Sequence, residues 1–177
     1  TCDFAAIKNS LFSTESAGGR NPYIATYTNP ANGKTAAGKY QFMDATRASY
    51  IRNNPQCTTS NGQPPTACNT TATWISEPCY RVQECMMDAL LNDNLSMIRR
   101  DPACQALLNT AGAGQTTFRD DATPLPANLT CTTPPTCPLA IKGTGQGKSA
   151  SCKVTESGLL AAFHLGGPDE CRNILAN

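Results

Sequence analysis

At 177 residues the chain is long enough for one domain with a substantial core and too short for two of ordinary size. Its charged fraction is 15% and its formal net charge +1, which excludes a global field favouring nucleic acid or an anionic membrane. No apolar run approaches the roughly 18 residues that a membrane-spanning helix needs, no basic, apolar leader opens the chain, and Thr1 reads as a processed end.

Asp3 is placed to cap a first helix in which Phe4, Ile7 and Leu11 fall at helical spacing. Gly18-Gly19 stops it, so Glu15 sits in or just past its last turn. Tyr23 to Thr28 reads as a short strand, and Asn29-Pro-Ala-Asn-Gly33 as the turn of a small hairpin. A second helix is predicted from about Tyr40 to Ile51, with Phe42, Met43 and Tyr50 available to the core.

Residues 52 to 77 read as a loop insertion, polar and proline-containing at least to residue 73 and held by cysteines. The strongest helical signal runs from Pro78 to about Arg99, with Val82, Met86, Ala89, Leu90 and Ile98 as candidate core residues. Asp101-Pro102 then starts another helix as N-cap and first position, carrying Leu107 and Leu108 inward. Residues 111 to 153 form a second insertion rich in Gly, Thr, Pro and Ser, with a β-hairpin expected between Ala140 and Val154. A last helical segment begins near Thr155, breaks at Gly166-Gly167 and resumes at Pro168. The order suits a single α+β domain over residues 1–177, mostly helical.

Ten cysteines far exceed cytosolic usage, and their even count permits complete pairing, which points to an oxidising compartment, secreted or periplasmic. No paired C-x-x-C occurs, and with one histidine a zinc site would be almost all thiolate, so disulfides are the better reading and no metal is expected. The pairs Cys57/Cys68, Cys79/Cys85 and Cys131/Cys137 could close small local loops, leaving Cys2, Cys104, Cys152 and Cys171 to join distant elements. Spacing alone does not decide that connectivity. Each bridge contributes about 2–4 kcal/mol, chiefly by restricting the unfolded chain.

Two segments carry the chemistry: Ser13-Thr-Glu-Ser-Ala-Gly-Gly19 and Thr35-Ala-Ala-Gly-Lys-Tyr-Gln-Phe-Met43. A carboxylate at the end of an amphipathic helix, kept partly apolar, has its pKa raised by desolvation and can protonate a glycosidic oxygen. By itself Glu15 would read as a solvated helix-end acid. The order Glu-Ser, hairpin, Gly-Lys-Tyr-Gln-Phe-Met favours the catalytic reading. Together these segments resemble the lysozyme-like lytic transglycosylases and phage endolysins, in which Glu-Ser opens the site and a Gly-x-x-Gln-x-Met element backs it. Leu159-Leu-Ala-Ala-Phe-His-Leu-Gly-Gly-Pro168 resembles the Ala-Ala-Tyr-Asn-Ala-Gly segment of the same enzymes, with Phe163 for Tyr and His164 for Asn. The likeness covers roughly residues 4 to 51 and 155 to 177.

The resemblance implies a lysozyme-like fold acting on the MurNAc-β-1,4-GlcNAc bond of peptidoglycan, without a cofactor. Glu15 is the implied general acid and base. Ser16, Gly38, Tyr40, Gln41, Phe163 and His164 are the implied substrate-binding residues. Glycine lets the backbone approach a sugar, and glutamine can bond hydroxyl and N-acetyl groups. Tyr40 could stack on a sugar face or pack in the core, while Phe42 and Met43 read as packing. Phe163 would supply an apolar wall for the acid. His164 would bond the N-acetyl group or the acid, or play a purely structural part.

Between Glu15 and Asp44 there is no Asp or Glu, so the hairpin lacks the second carboxylate that many lysozymes place there. This favours transglycosylation over a hydrolytic muramidase, which would need Thr26, Thr28, His164 or Asp44 to hold water. A catalytically weak peptidoglycan-binding or assembly module is the alternative from outside the enzymes. The loop insertions offer surface for a protein partner. Asn69-Thr-Thr71, Asn94-Leu-Ser96 and Asn128-Leu-Thr130 match the glycosylation pattern, which arises readily by chance.

Overall fold

The predicted first helix forms as α1 (Ala5–Glu15), and Phe4, Ile7 and Leu11 are buried as their spacing requires. In the computed structural model residues 4–15, 21–109, 115–117, 149–151 and 156–175 are described, so Asp3 and Gly18-Gly19 lie outside. The chain divides into two units, Leu11–Leu90 and Thr1–Ser10 with Leu91–Asn177. The described residues are mostly helical with a small antiparallel sheet, which is the α+β class expected.

In the Leu11–Leu90 unit the stretch predicted as one strand splits in two. Asn21 caps a 3-10 turn, Pro22–Ile24, by accepting from the Tyr23 amide at 3.2 Å, and only Thr26–Thr28 is extended, as β1. Asn29 to Gly33 make the expected turn, with Gly33 at φ +68°, into β2 (Thr35–Ala37). The hairpin gains a third antiparallel strand, β3 (Phe42–Met43), pairing Ala37 with Phe42 and Ala36 with Met43. The expected helix from Tyr40 is therefore shortened: α2 runs Asp44–Asn53. Gly38 and Gln41, both at positive φ, turn the chain back on itself before a helix can start. Phe42 is buried against Trp74, ring centroids 5.7 Å apart, but Met43 on the opposite sheet face is exposed, contrary to its reading as packing.

The following segment is more ordered than a rim loop. It holds a 3-10 turn at Pro65–Cys68, a short helix α3 (Thr71–Trp74) capped by Thr70, and a 3-10 turn at Glu77–Cys79. Trp74, missed in the sequence, is 1% exposed and donates its indole N–H to Ala37 O at 3.1 Å. Two disulfides staple it, but not as neighbours in sequence. Cys57 pairs with Cys85 and Cys68 with Cys79, in place of Cys57/Cys68 and Cys79/Cys85. Once α4 (Tyr80–Arg100) forms, Cys79 just before it and Cys85 one turn inside it meet different parts of the preceding chain. On α4 the core stripe is Val82, Gln83, Met86, Met87, Leu91, Leu95 and Ile98, while Ala89 and Leu90 are only half-buried.

In the other unit Asp101 caps α5 (Pro102–Asn109), accepting from the Ala103 amide at 2.8 Å, as its sequence position predicts. Leu107 is buried and Leu108 partly so. β5 (Ser149–Ser151) pairs antiparallel with a distant strand, β4 (Gln115–Thr117), and the rest of the hairpin expected between Ala140 and Val154 lies outside the described residues. The last helices are α6 (Glu156–Gly166), buried at every position from Ser157 to Phe163, and α7 (Glu170–Leu175). Gly167 at φ +87° ends α6, its amide bonding Phe163 O at 2.9 Å. Cys104 on α5 bridges Cys171 on α7, one of the distant links expected. Cys2, Cys131, Cys137 and Cys152 lie outside the described residues, and none of the six described cysteines is a free thiol. No helix among the described residues is long and apolar enough to cross a membrane.

Candidate functional site

The Gly38–Gln41 turn is built by constraints that converge on it from the whole Leu11–Leu90 unit. Gly38 has φ +85°, and a Cβ there would lie 2.5 Å from Gln83 Oε1 and 2.7 Å from Trp74 Nε1. Glycine is thus required both by conformation and by close approach. Its amide donates to Ala25 O at 2.7 Å. Gln41 is the only non-glycine at positive φ among the described residues, at 53°. Its Nε2 donates to Ala25 O at 3.2 Å and Gly38 O at 2.8 Å, which fixes the amide plane against the backbone. A left-handed residue costs about 1–2 kcal/mol, and such strain collects where geometry serves function.

Gln83 is the buried anchor beneath the turn. Its Nε2 donates to Trp74 O at 2.8 Å and Tyr23 O at 3.0 Å, and its Oε1 accepts from the Lys39 amide at 2.8 Å. Both ends of the amide are satisfied, so its 1% exposure costs little.

Next to it, Glu84 gathers three donors. Lys39 Nζ lies 2.8 Å from its Oε1, Tyr23 Oη donates at 2.9 Å, and Tyr40 Oη bonds both oxygens, at 2.9 and 3.2 Å. Burial first, then hydrogen bonding to Glu84, pushes the Tyr23 hydroxyl up to about 12, and burial with the Glu84 charge pushes Tyr40 higher still. The Lys39 ammonium also lies 5.2 to 5.3 Å from the ring centres of Phe12, Tyr23 and Tyr40. Tyr80 stacks on Tyr23 at 4.5 Å. Sequence reading missed this cluster. Its one signal was the polar pair Gln83-Glu84 set between the core positions Val82 and Met86.

Of the residues singled out in the sequence, Gly38, Tyr40 and Gln41 come together in this turn. Tyr40 is 2% exposed, so of the two roles open to it the structure places it in the core. An exposed aromatic does exist nearby: Tyr27 is 59% exposed and lies in one cross-strand row with Ala36 and Met43. Glu15 is the final residue of α1, and its side chain and all of Ser16 lie outside the described residues. Phe163 and His164 are consecutive on α6 of the other unit. Phe163 is buried, and burial lowers the His164 pKa to about 4, which keeps that imidazole neutral at physiological pH. Asp44 pairs with Arg47 at 2.8 Å. No protein-family model, curated protein or solved structure matches this chain.

Proposed function

We propose that the protein is a secreted or periplasmic lytic transglycosylase of lysozyme-like type, cleaving the MurNAc-β-1,4-GlcNAc bond of peptidoglycan with Glu15 as acid and base. The observation that carries this reading is the Gly38–Gln41 turn. Its enforced glycine and strained, backbone-braced glutamine occupy the two positions that the sequence resemblance assigns to the substrate groove. Gln41 retains a carbonyl oxygen that can accept from an N-acetyl N–H. The three disulfides among the described residues suit an oxidising compartment.

In the proposed reaction Glu15 gives its proton to the bridging oxygen as the C1–O4 bond breaks, releasing a GlcNAc 4-hydroxyl. The substrate's own N-acetyl group assists at the anomeric carbon. The Glu15 carboxylate then takes the proton of the MurNAc 6-hydroxyl as O6 bonds to C1, which closes a 1,6-anhydro ring and restores the acid. No water is consumed. A hydrolytic muramidase would need a second carboxylate as nucleophile or base, or a side chain such as Thr26, Thr28 or His164 to hold the attacking water. Glu84 is engaged by Lys39, Tyr23 and Tyr40, and Asp44 by Arg47, which favours the one-acid route.

Digestion of purified sacculi tests the proposal. Muropeptides one water lighter than hydrolytic products are expected from the earliest time points. Reducing MurNAc ends would overturn transglycosylation, and binding to sacculi without soluble product would leave a binding module.

A further inference from the structure

Trp74 touches both ends of the Gly38–Gln41 turn. Its indole N–H donates to the oxygen of Ala37, the residue before Gly38, at 3.1 Å. Its ring stacks on Phe42, the residue after Gln41, with centroids 5.7 Å apart. Nε1 also lies 2.7 Å from where a Cβ on Gly38 would stand, so the indole edge passes directly beneath the turn. The Trp74 main-chain oxygen accepts from Gln83 Nε2 at 2.8 Å, and the other end of that amide accepts from the Lys39 N–H at 2.8 Å. Trp74 and Gln83 thus hold the residue before the turn, one inside it and the one after it. Their bonded partners, Ala37 and Lys39, are 37 and 44 residues away in sequence.

Trp74 cannot be fixed by its own helix. It ends α3, whose four residues fall far below the roughly 12 at which a helix persists without tertiary support. The chain around it is closed covalently instead. Cys68 bridges Cys79, 11 residues on, with Trp74 near the middle of the loop. The Cys57–Cys85 bridge encloses that loop and joins α4 just beyond Gln83. Arg47 Nη2 adds one bond from α2, to Asn69 O at 3.3 Å.

We propose that Trp74 is a positioning residue for the Gly38–Gln41 turn, held beneath it by the Cys68–Cys79 bridge, so that the disulfide-closed segment sets the geometry of the site. That the turn receives a glycan rests on the proposed function; the brace beneath it does not. The turn needs such a brace because Gln41 carries a side chain at positive φ, a conformation that persists only where the surrounding structure over-determines it. The bonds from Gln41 Nε2 to Ala25 O and Gly38 O fix the amide within the turn. Trp74 and Gln83 fix the turn against the core of the Leu11–Leu90 unit. With Trp74 displaced, Ala37 O loses its donor, Phe42 its stacking partner and Gln83 one acceptor, so the turn opens while α4 stays folded.

Hydrogen exchange followed by NMR on the full-length, oxidised protein tests the brace. In the wild type the Trp74 indole N–H and the amides of Gly38, Lys39 and Gln41 should open together, with protection factors within about threefold of one another and below those of Met86 and Met87 on α4. The double variant Cys68→Ser/Cys79→Ser should speed all four by about tenfold and leave Met86 and Met87 within about twofold of wild type. Trp74 is the only tryptophan in the chain, so a shift of its emission to longer wavelength reports the same displacement. Trp74→Phe keeps a ring against Phe42 but removes the indole donor, and should speed the three turn amides by about fivefold. Turn amides that keep their wild-type rates while the indole becomes exposed would overturn the proposal. If the double variant unfolds, the wild-type comparison decides: an indole more than about tenfold apart from the turn amides in protection would overturn it as well.

The exchange measurement is independent of turnover, so a wild-type protein that releases no muropeptides would refute the proposed function and leave the brace standing. Where turnover is measured, Trp74→Phe should raise KM by about threefold with kcat unchanged, as expected when a binding group is misplaced. A general folding defect would instead lower the active fraction, and with it kcat.

Discussion

The side-chain oxygen of Gln83 occupies the space that a Cβ on Gly38 would need, at a separation of 2.5 Å. The same oxygen accepts from the Lys39 amide, so it cannot withdraw without breaking the bond that holds the turn. Gly38→Ala should therefore destabilise the oxidised protein by about 3 kcal/mol, combining the left-handed backbone with overpacking. Gly33→Ala is the control. Gly33 shares the positive φ, but a methyl group there would meet nothing within 4 Å, so about 1 kcal/mol is expected. Denaturant midpoints of the two variants should separate clearly; equal losses would show that close approach at Gly38 is unimportant.

Glu15→Gln should reduce glycan cleavage by several decades while leaving the thermal midpoint and saccharide binding close to wild type. The amide keeps the shape of the acid and cannot transfer its proton. A variant that retains more than about a tenth of the wild-type rate would remove Glu15 from the acid role.

Proteolysis without reduction should recover Cys57 joined to Cys85, Cys68 to Cys79 and Cys104 to Cys171. Their sequence separations are 28, 11 and 67. Of these three, loss of the Cys104–Cys171 bridge is expected to cost the most, about 4 kcal/mol, because it closes the longest loop among them. Recovery of Cys57 with Cys68 would refute the crossed pairing.

His164 is the only histidine in the chain, so its ring protons give one unambiguous titration. The folded pKa is about 4, lowered by burial from an ordinary 6.5. Its contribution is fully present above pH 6.5 and lost as the pH falls toward 4, because the unfolded chain takes up the proton first. Allowing for partial solvent access, the loss is on the order of 2 kcal/mol. His164→Gln should flatten that part of the stability profile, and a measured pKa near 6.5 would contradict the burial.

Tyr27 and Tyr40 should separate binding from folding. Tyr27→Ala removes an exposed ring and should raise KM for glycan fragments with the melting temperature unchanged. Tyr40→Phe leaves Glu84 without one of its donors and should lower stability by about 1–3 kcal/mol. The reverse pattern would make Tyr40, and not Tyr27, the ring that meets the proposed glycan.

The extents of α1, α4 and α5 were legible because each depends on neighbours in sequence. Phe4, Ile7 and Leu11 repeat at helical spacing, and Asp101-Pro102 is a local start signal. Gly38 and Gln41 were legible as site candidates for a different reason, their match to a family pattern. What Gln41 does with its amide was hidden, since its acceptors are main-chain oxygens of Ala25 and Gly38. The Tyr40–Met43 segment carries apolar residues compatible with either a helix turn or a strand, and periodicity over four residues cannot choose.

By itself the sequence determined which stretches prefer helix, where the hairpin turns, and that its cysteines favour disulfides, as the six described ones form, because these follow from backbone preference and composition. Only the tertiary structure decided that β3 replaces the start of a helix, that Cys57 reaches Cys85, and that Glu84 meets Lys39, Tyr23 and Tyr40. Each of those outcomes joins residues whose proximity depends on how separate elements pack. Gln83 holds the Gly38 turn from 45 residues away, and no local preference of either residue encodes that meeting.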